Sequence, residues 1–199
     1  VENFEADDWK GGYPNPAFSR MSERDGAWMA RIIAQFGAAH LRELVSIAQL
    51  ESPALDAELL RLLSGRRDRV LERYLTRLSP LSLPAMRSGM SAELCLRDLV
   101  AQSGVRRERG RGYAVTAHMG NLAGGAAQRL EPVRAVAGHR ICATLPRAPG
   151  ASDGAPSYLV VDWVSQSEGY PPEFPARVHL FDLGPRGFEI VGLERLDSF

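Results

Sequence analysis

The chain has 199 residues, 45% hydrophobic and 24% charged, a composition that suits a folded globular protein and excludes a disordered or fibrous one. Its 24 basic and 24 acidic residues cancel, so no overall field would steer it to nucleic acid or anionic lipid. No apolar run approaches the ~20 residues a bilayer requires, so no transmembrane segment is expected.

Residues 1–20 (VENFEADDWKGGYPNPAFSR) read as an arm. Gly11, Gly12, Pro14 and Pro16 break any helical or strand period. Such an arm stays ordered by docking its aromatics. Phe4, Trp9, Tyr13 and Phe18 are therefore the candidate binding residues, facing either the following helices or a partner protein.

Ser22-x-x-Asp25 is a capping-box signature that predicts a helix start. Trp28, Ile32, Gln35 and Phe36 at 3–4 spacing, with Met29 and Ile33 beside them, predict one wide apolar face, ended by Gly37. A second helix is expected over 39–50, with Leu41, Leu44, Val45 and Ala48 inward. Ser52-Pro53 predicts an N-cap with Pro at the first helical position, opening a helix that runs to about Leu78. Its expected buried stripe is Leu55, Leu59, Leu62, Leu63, Val70 and Tyr74. The charges from Arg66 to Arg73 read as a solvated or internally paired face. Residues 79–89 read as a Pro-containing connection. A short strand over Leu94–Leu96 and a helical turn over Arg97–Gln102 complete this half.

From residue 105 the period changes. VRRERGRG (105–112) reads as a solvated basic loop. Tyr113–His118, Val133–Ala137, Ile141–Leu145, Tyr158–Val164, Arg177–Leu183 and Phe188–Leu193 read as strands. Gly184-Pro185-Arg186-Gly187 marks a hairpin between the last two. Asp162 and Asp182 are expected on the outer strand face by alternation. The expected fold is α+β: an N-terminal three-helix unit followed by an antiparallel β-sandwich-like half. The domains are an arm at 1–20, a helical domain at 21–104 and a β domain at 105–199.

Nothing in the chain forms a recognisable catalytic, metal-binding or nucleotide-binding constellation. Gly120–Gly125 lacks the Lys-Ser/Thr of a phosphate cradle, and His40, His118, His139 and His179 have no ligand spacing. No catalytic residue, cofactor or metal is assigned. Cys95 and Cys142 have apolar neighbours, which predicts two buried free thiols. The alternative, should the protein be exported, is a disulfide tying the halves together.

FEADDWKGGYPNPAFSRMSERDGAWMARIIAQF, RRDRVLERYL and VHLFDLGPRGFEIVGLER together resemble the C-terminal region of large, uncharacterised, apparently exported bacterial proteins. The matching positions are Trp9, Tyr13–Phe18, Asp25, Trp28, Arg66–Asp68 and Val191–Arg195. The resemblance implies the tail of a longer polypeptide or a shortened relative, and a periplasmic or extracellular location in preference to the cytoplasm. The kinase-like part that precedes this region in the group has no counterpart here. Beginning at Val1 rather than Met, the chain is expected to be a processed product, a domain or part of something longer. The functional expectation is a non-catalytic structural or protein-interaction module with a protein partner, part of a larger assembly and without nucleic acid. The alternatives are an enzyme with a site where the halves meet, built on Arg66, Arg67 and Asp68, and carbohydrate binding through Trp163, Tyr158 and Tyr170.

Overall fold

The computed structural model describes residues 3–8, 12–87, 91–105, 110–120, 127–134 and 139–197. The fold is α+β, with helices preceding two antiparallel sheets. It divides into two compact units, Val1–Arg77 and Leu78–Phe199, except that Ser103–Arg106 groups with the first. The division thus falls well before residue 105, where the sequence period suggests it.

In the first unit a single helical turn, α1 (Pro16–Ser19), is capped by the Asn15 side chain. Helix α2 (Glu23–Ile33) opens with the expected capping box, in which Ser22 and Asp25 satisfy each other's backbone N–H groups. Helix α3 (Ala38–Ile47) and the long α4 (Pro53–Leu75) follow, and Ser52 caps α4 with Pro53 in its first turn. Helices α2 and α3 both pack on α4.

The packing face of α2 differs from the expected one. Its buried residues are Gly26, Ala27, Ala30 and, just beyond, Ala34, whereas Trp28, Met29, Ile32 and Phe36 are exposed. Small residues win because they let two helix backbones approach closely. A Cβ added at Gly26 would lie 2.7 Å from Tyr74 Cε1 and nearer still to Cδ1. Gly26→Ala is therefore expected to destabilise the helical unit by about 1–3 kcal/mol through overpacking, despite the better helix propensity of alanine. A thermal midpoint equal to or above the wild type would contradict this close approach. The α4 stripe holds at Tyr74, which is buried as expected, and extends to Leu71 and Leu75, whereas Leu55 is exposed.

The second unit contains nine strands among the described residues. They are β1 (Leu81–Arg87), β2 (Glu93–Asp98), β3 (Gly112–Met119), β4 (Ala127–Leu130), β5 (Pro132–Arg134), β6 (Arg140–Thr144), β7 (Ser157–Gln166), β8 (Ala176–Asp182) and β9 (Phe188–Arg195). A short helix α5 (Leu99–Ser103) follows β2. One sheet has the order β1-β2-β6-β5 and the other β4-β3-β7-β8-β9, all pairs antiparallel. Strand β1 lies in the stretch read as a connection. It contains Pro84, which an edge strand tolerates, and Leu83 takes a positive φ at the bulge between Ser82 and Ala85. The strand expected at Val133–Ala137 is seen only as β5, its remainder lying outside the described residues.

Side chains from both sheets fill one core, a sandwich. Leu94 and Leu96 of β2 and Ile141 and Ala143 of β6 face Val115, Val161, Trp163, Val178 and Leu180 of the larger sheet. The Trp163 side chain is wholly enclosed. Along one edge Arg195 of β9 donates to the Ser79 and Leu81 carbonyls and to Ser82 Oγ, fastening the last strand beside the first. The β8–β9 hairpin turns through a 3₁₀ turn at Gly184–Arg186.

Two expectations fail here for physical reasons. Cys95 and Cys142 form a disulfide, not free thiols, and it joins β2 to β6 within the second unit, not one half to the other. Register explains it: the two residues sit directly opposite, Cα to Cα 4.0 Å, as in a non-hydrogen-bonded antiparallel pair. Asp182 is buried, not outward. Its carboxylate accepts the Ala148 and Gly184 N–H groups, each at 2.9 Å, and Arg147 Nη1 at 2.7 Å, so it organises the hairpin.

Candidate functional site: the helical unit's exposed face and arm groove

Trp28 and Ile32 follow one another at four-residue spacing on α2, with Met29 beside them, and Phe36 lies just beyond the helix's C-cap, Ala34. Trp28 is 58% exposed and Ile32, Met29 and Phe36 between 36% and 45%. Leu44 and Ile47 of α3, Leu50 and Leu55 are exposed in the same unit. Isolated exposed apolar residues need no explanation, but a row of large ones on one helix marks a surface that something else covers. The Phe36 ring meets His40 edge-on, and its carbonyl accepts Arg67 Nη1 at 2.9 Å, so the end of the row is held in place.

The described part of the arm is anchored by charge at Asp7. Asp7 pairs with Arg73, and Tyr74 Oη donates to Asp7 Oδ1 at 3.2 Å. Arg73 also forks onto Glu23 at 2.7 and 2.9 Å, which links the arm, α2 and α4. Phe4 is half-buried, with the Arg66 guanidinium 5.7 Å from its ring centre. Tyr13 is 89% exposed and Phe18 also exposed, while Trp9 lies outside the described residues.

The hydrogen bond from Arg73 holds Asp7 and Glu23 below the ordinary carboxylate values of 3.8 and 4.5, outweighing burial. A depressed folded value contributes stability above the ordinary one, which is lost as pH falls through the folded value. Arm anchoring is thus expected to hold at pH 5 and to be released on acidification below about 4. Amide exchange at residues 4–8 would report it, and protection unchanged between pH 5 and 2.5 would refute it.

Between arm and α4 lies an open groove of about 600 Å³ lined by Phe4, Ala6, Asp7, Phe18, Met21, Arg66, Val70 and Tyr74. Arg66, Val70 and Tyr74 come from one row of α4 at four-residue spacing.

Besides the Asp182 hairpin, two polar clusters stand out among the described residues of the β unit. On the outer face of the five-stranded sheet, Arg177 forks onto Asp162 at 2.7 and 2.8 Å, and His118 Nε2 lies 3.6 Å from the same carboxylate. His179 bonds Tyr158 through Nδ1 and faces Glu194 at 3.5 Å. Each charge is matched across neighbouring strands, the pattern of cross-strand pairing.

The second cluster plugs the sandwich interior at one end. Arg111, whose side chain is 4% exposed, pairs with Asp98 and forks onto Glu173 at 3.2 and 2.9 Å. Tyr113 Oη donates to Asp98 at 2.7 Å, and Asp98 accepts the Val100 and Ala101 N–H groups at the start of α5. Ser165 donates to Glu173, and Ser167 accepts from Arg111 at 3.0 Å. Arg111 is thus a buried anchor, not part of a solvated basic loop. Burial lowers its affinity for a proton, but the Asp98 and Glu173 charges outweigh it and hold it above the ordinary arginine range. Burial raises the Glu173 carboxyl above its ordinary value, against the pull of Arg111 and Ser165.

Of the residues considered for catalysis, Arg67 and Asp68 pair with each other and Arg66 lines the arm groove. Trp163 is enclosed in the core, which removes it from carbohydrate binding. Glu93, Cys95 and Cys142 are the only described cluster with metal-ligand proximity, and both its sulfurs are committed to the disulfide. No family model matches the chain, and no curated protein matches it significantly.

Proposed function

We propose that this protein is a non-catalytic protein-interaction module, part of a larger assembly, whose contact face is formed by Trp28, Met29 and Ile32 of α2 with Phe36 just beyond it. The observation that carries the reading is that these large side chains stand exposed while small ones pack the helix core. Trp is among the residues that most often anchor interfaces, and an i, i+4 pair such as Trp28 and Ile32 is how a helix presents such anchors. The cross-strand disulfide supports an exported location, since such bonds persist in oxidising compartments. No helix among the described residues is long and apolar enough to cross a membrane.

The test is site-specific photo-crosslinking in the native cell, with the reactive group at Ile32 and a control at Glu189 on the outer sheet face. The expected result is a discrete adduct from position 32, absent from position 189 and lost in a Trp28→Asp background. Equal labelling at both positions, or none at 32, would overturn the reading. Because Trp28 is not part of the core, Trp28→Asp itself is expected to change stability by less than about 0.5 kcal/mol.

A further inference from the structure

The arm groove has a composition that the interaction reading does not use. We infer that it is a binding site for a small amphiphilic anion, an acyl chain ending in a carboxylate. The walls are apolar: Phe4, Phe18, Met21 and Val70. Its volume of about 600 Å³ lies within the range of small-molecule sites.

Three lining residues carry polar groups, and two are already engaged. Asp7 is neutralised by Arg73 and accepts from Tyr74, whose hydroxyl is thereby occupied. Arg66 is different. No carboxylate pairs with it among the described residues, and what it faces is the Phe4 ring. Among the described residues the groove therefore offers one cation without a carboxylate partner beside an apolar wall, which is complementary to one anionic head on an apolar body.

The main-chain chemistry narrows the body further. Arg66, Val70 and Tyr74 lie inside α4, where backbone N–H and C=O groups bond each other. That wall has no free backbone groups to pair with an extended peptide. A hydrocarbon chain needs none.

The experiment uses the full chain and three ten-carbon probes of one length: decanoate, 1-decanol and decyltrimethylammonium, each kept below its micellar concentration. Binding is followed by amide chemical shifts, which separate the groove (residues 66–74) from the α2 row (residues 28–36). Decanoate is expected to bind at the groove at least about tenfold more tightly than either of the others, the margin of one charge-assisted contact. Arg66→Gln should remove that margin and leave decanol binding unchanged, and Arg66→Lys should restore part of it. Val70→Trp should block all binding at the groove while keeping the thermal midpoint. Equal binding of the three probes, an unaffected Arg66→Gln variant, no binding at all, or shifts confined to residues 28–36 would each overturn the inference. None of these outcomes bears on crosslinking at Ile32, so the two readings fail separately.

Discussion

Replacing Arg111 with methionine is expected to cost the β unit about 3–5 kcal/mol, more than any surface charge in the molecule could. The size follows from what remains. Asp98 is fully buried and Glu173 nearly so, and both lose their common cation while staying at the end of the sandwich interior. Asp98 keeps its N–H and Tyr113 partners, whereas among the described residues Glu173 keeps the Ser165 hydroxyl alone, so the defect concentrates on Glu173. That gives a pH signature. The folded value of Glu173 is already raised by burial, and removing Arg111 removes the largest downward pull on it. For an acid with a raised folded value the native state binds more protons than the unfolded chain, so stability falls as pH rises through the window above 4.5. The Arg111→Met deficit is therefore expected to be smaller at pH 5 than at pH 8. Amide exchange in β7 and β8, the strands of the core, measures it. A loss below about 1 kcal/mol, the ordinary size for an exposed pair, would mean that the network is not closed to water as described.

The network also shows where reading the sequence stops. Arg111 sits in VRRERGRG, and locally nothing separates it from its solvated-looking neighbours. Its partners are 13 and 62 residues away: the pairing of β3 with β7 brings Glu173 into reach, whereas Asp98 ends β2, in the other sheet of the sandwich. Features whose cause is local were legible: the Ser22–Asp25 box, the Ser52-Pro53 start, the Gly184–Gly187 hairpin and the alternating strands β3 and β6–β9. Strand β1 was not, because Pro84 and the bulge at Leu83 erase its period. The α2 face was misjudged for a more instructive reason. Two periodic rows compete on that helix, one large and apolar, one small. Apolarity alone points to Trp28, Ile32 and Phe36 as core, but only the Gly26–Ala27–Ala30 row allows the approach that Tyr74 requires. The rejected row is what makes the helical unit a candidate interaction surface. The sequence points to the arm aromatics as binding residues, yet the described part of the arm is anchored through Asp7, a residue with no apolar signal.

Reducing the Cys95–Cys142 disulfide, or replacing both residues with alanine, is expected to lower the stability of the β unit by about 4 kcal/mol if chain entropy governs, since 47 residues separate the two cysteines. The bond also acts where the sheet has no other local tie. Strands β2 and β6 are adjacent in space, but the chain between them passes through α5, β3, β4 and β5, crossing to the other sheet and back. In the unfolded chain the bond removes that whole excursion from the accessible ensemble, while in the folded sheet it joins positions that register already sets opposite each other. The cysteines alternate with Leu94, Leu96, Ile141 and Ala143, so they point away from the sandwich core and their loss leaves no cavity among those side chains. Both sulfurs are buried, so reduction should be slow under native conditions and fast once urea opens the unit. Urea unfolding of the oxidised and fully reduced chains, with amide exchange in β2 and β6 as the site-specific readout, separates the two states. An unchanged midpoint would show that strand pairing alone sets the stability of this sheet and would remove the main support for an oxidising compartment. A drop of the expected size would mean that the β unit approaches marginal stability in a reducing cytosol, and that the fold is suited to the compartment in which the bond persists.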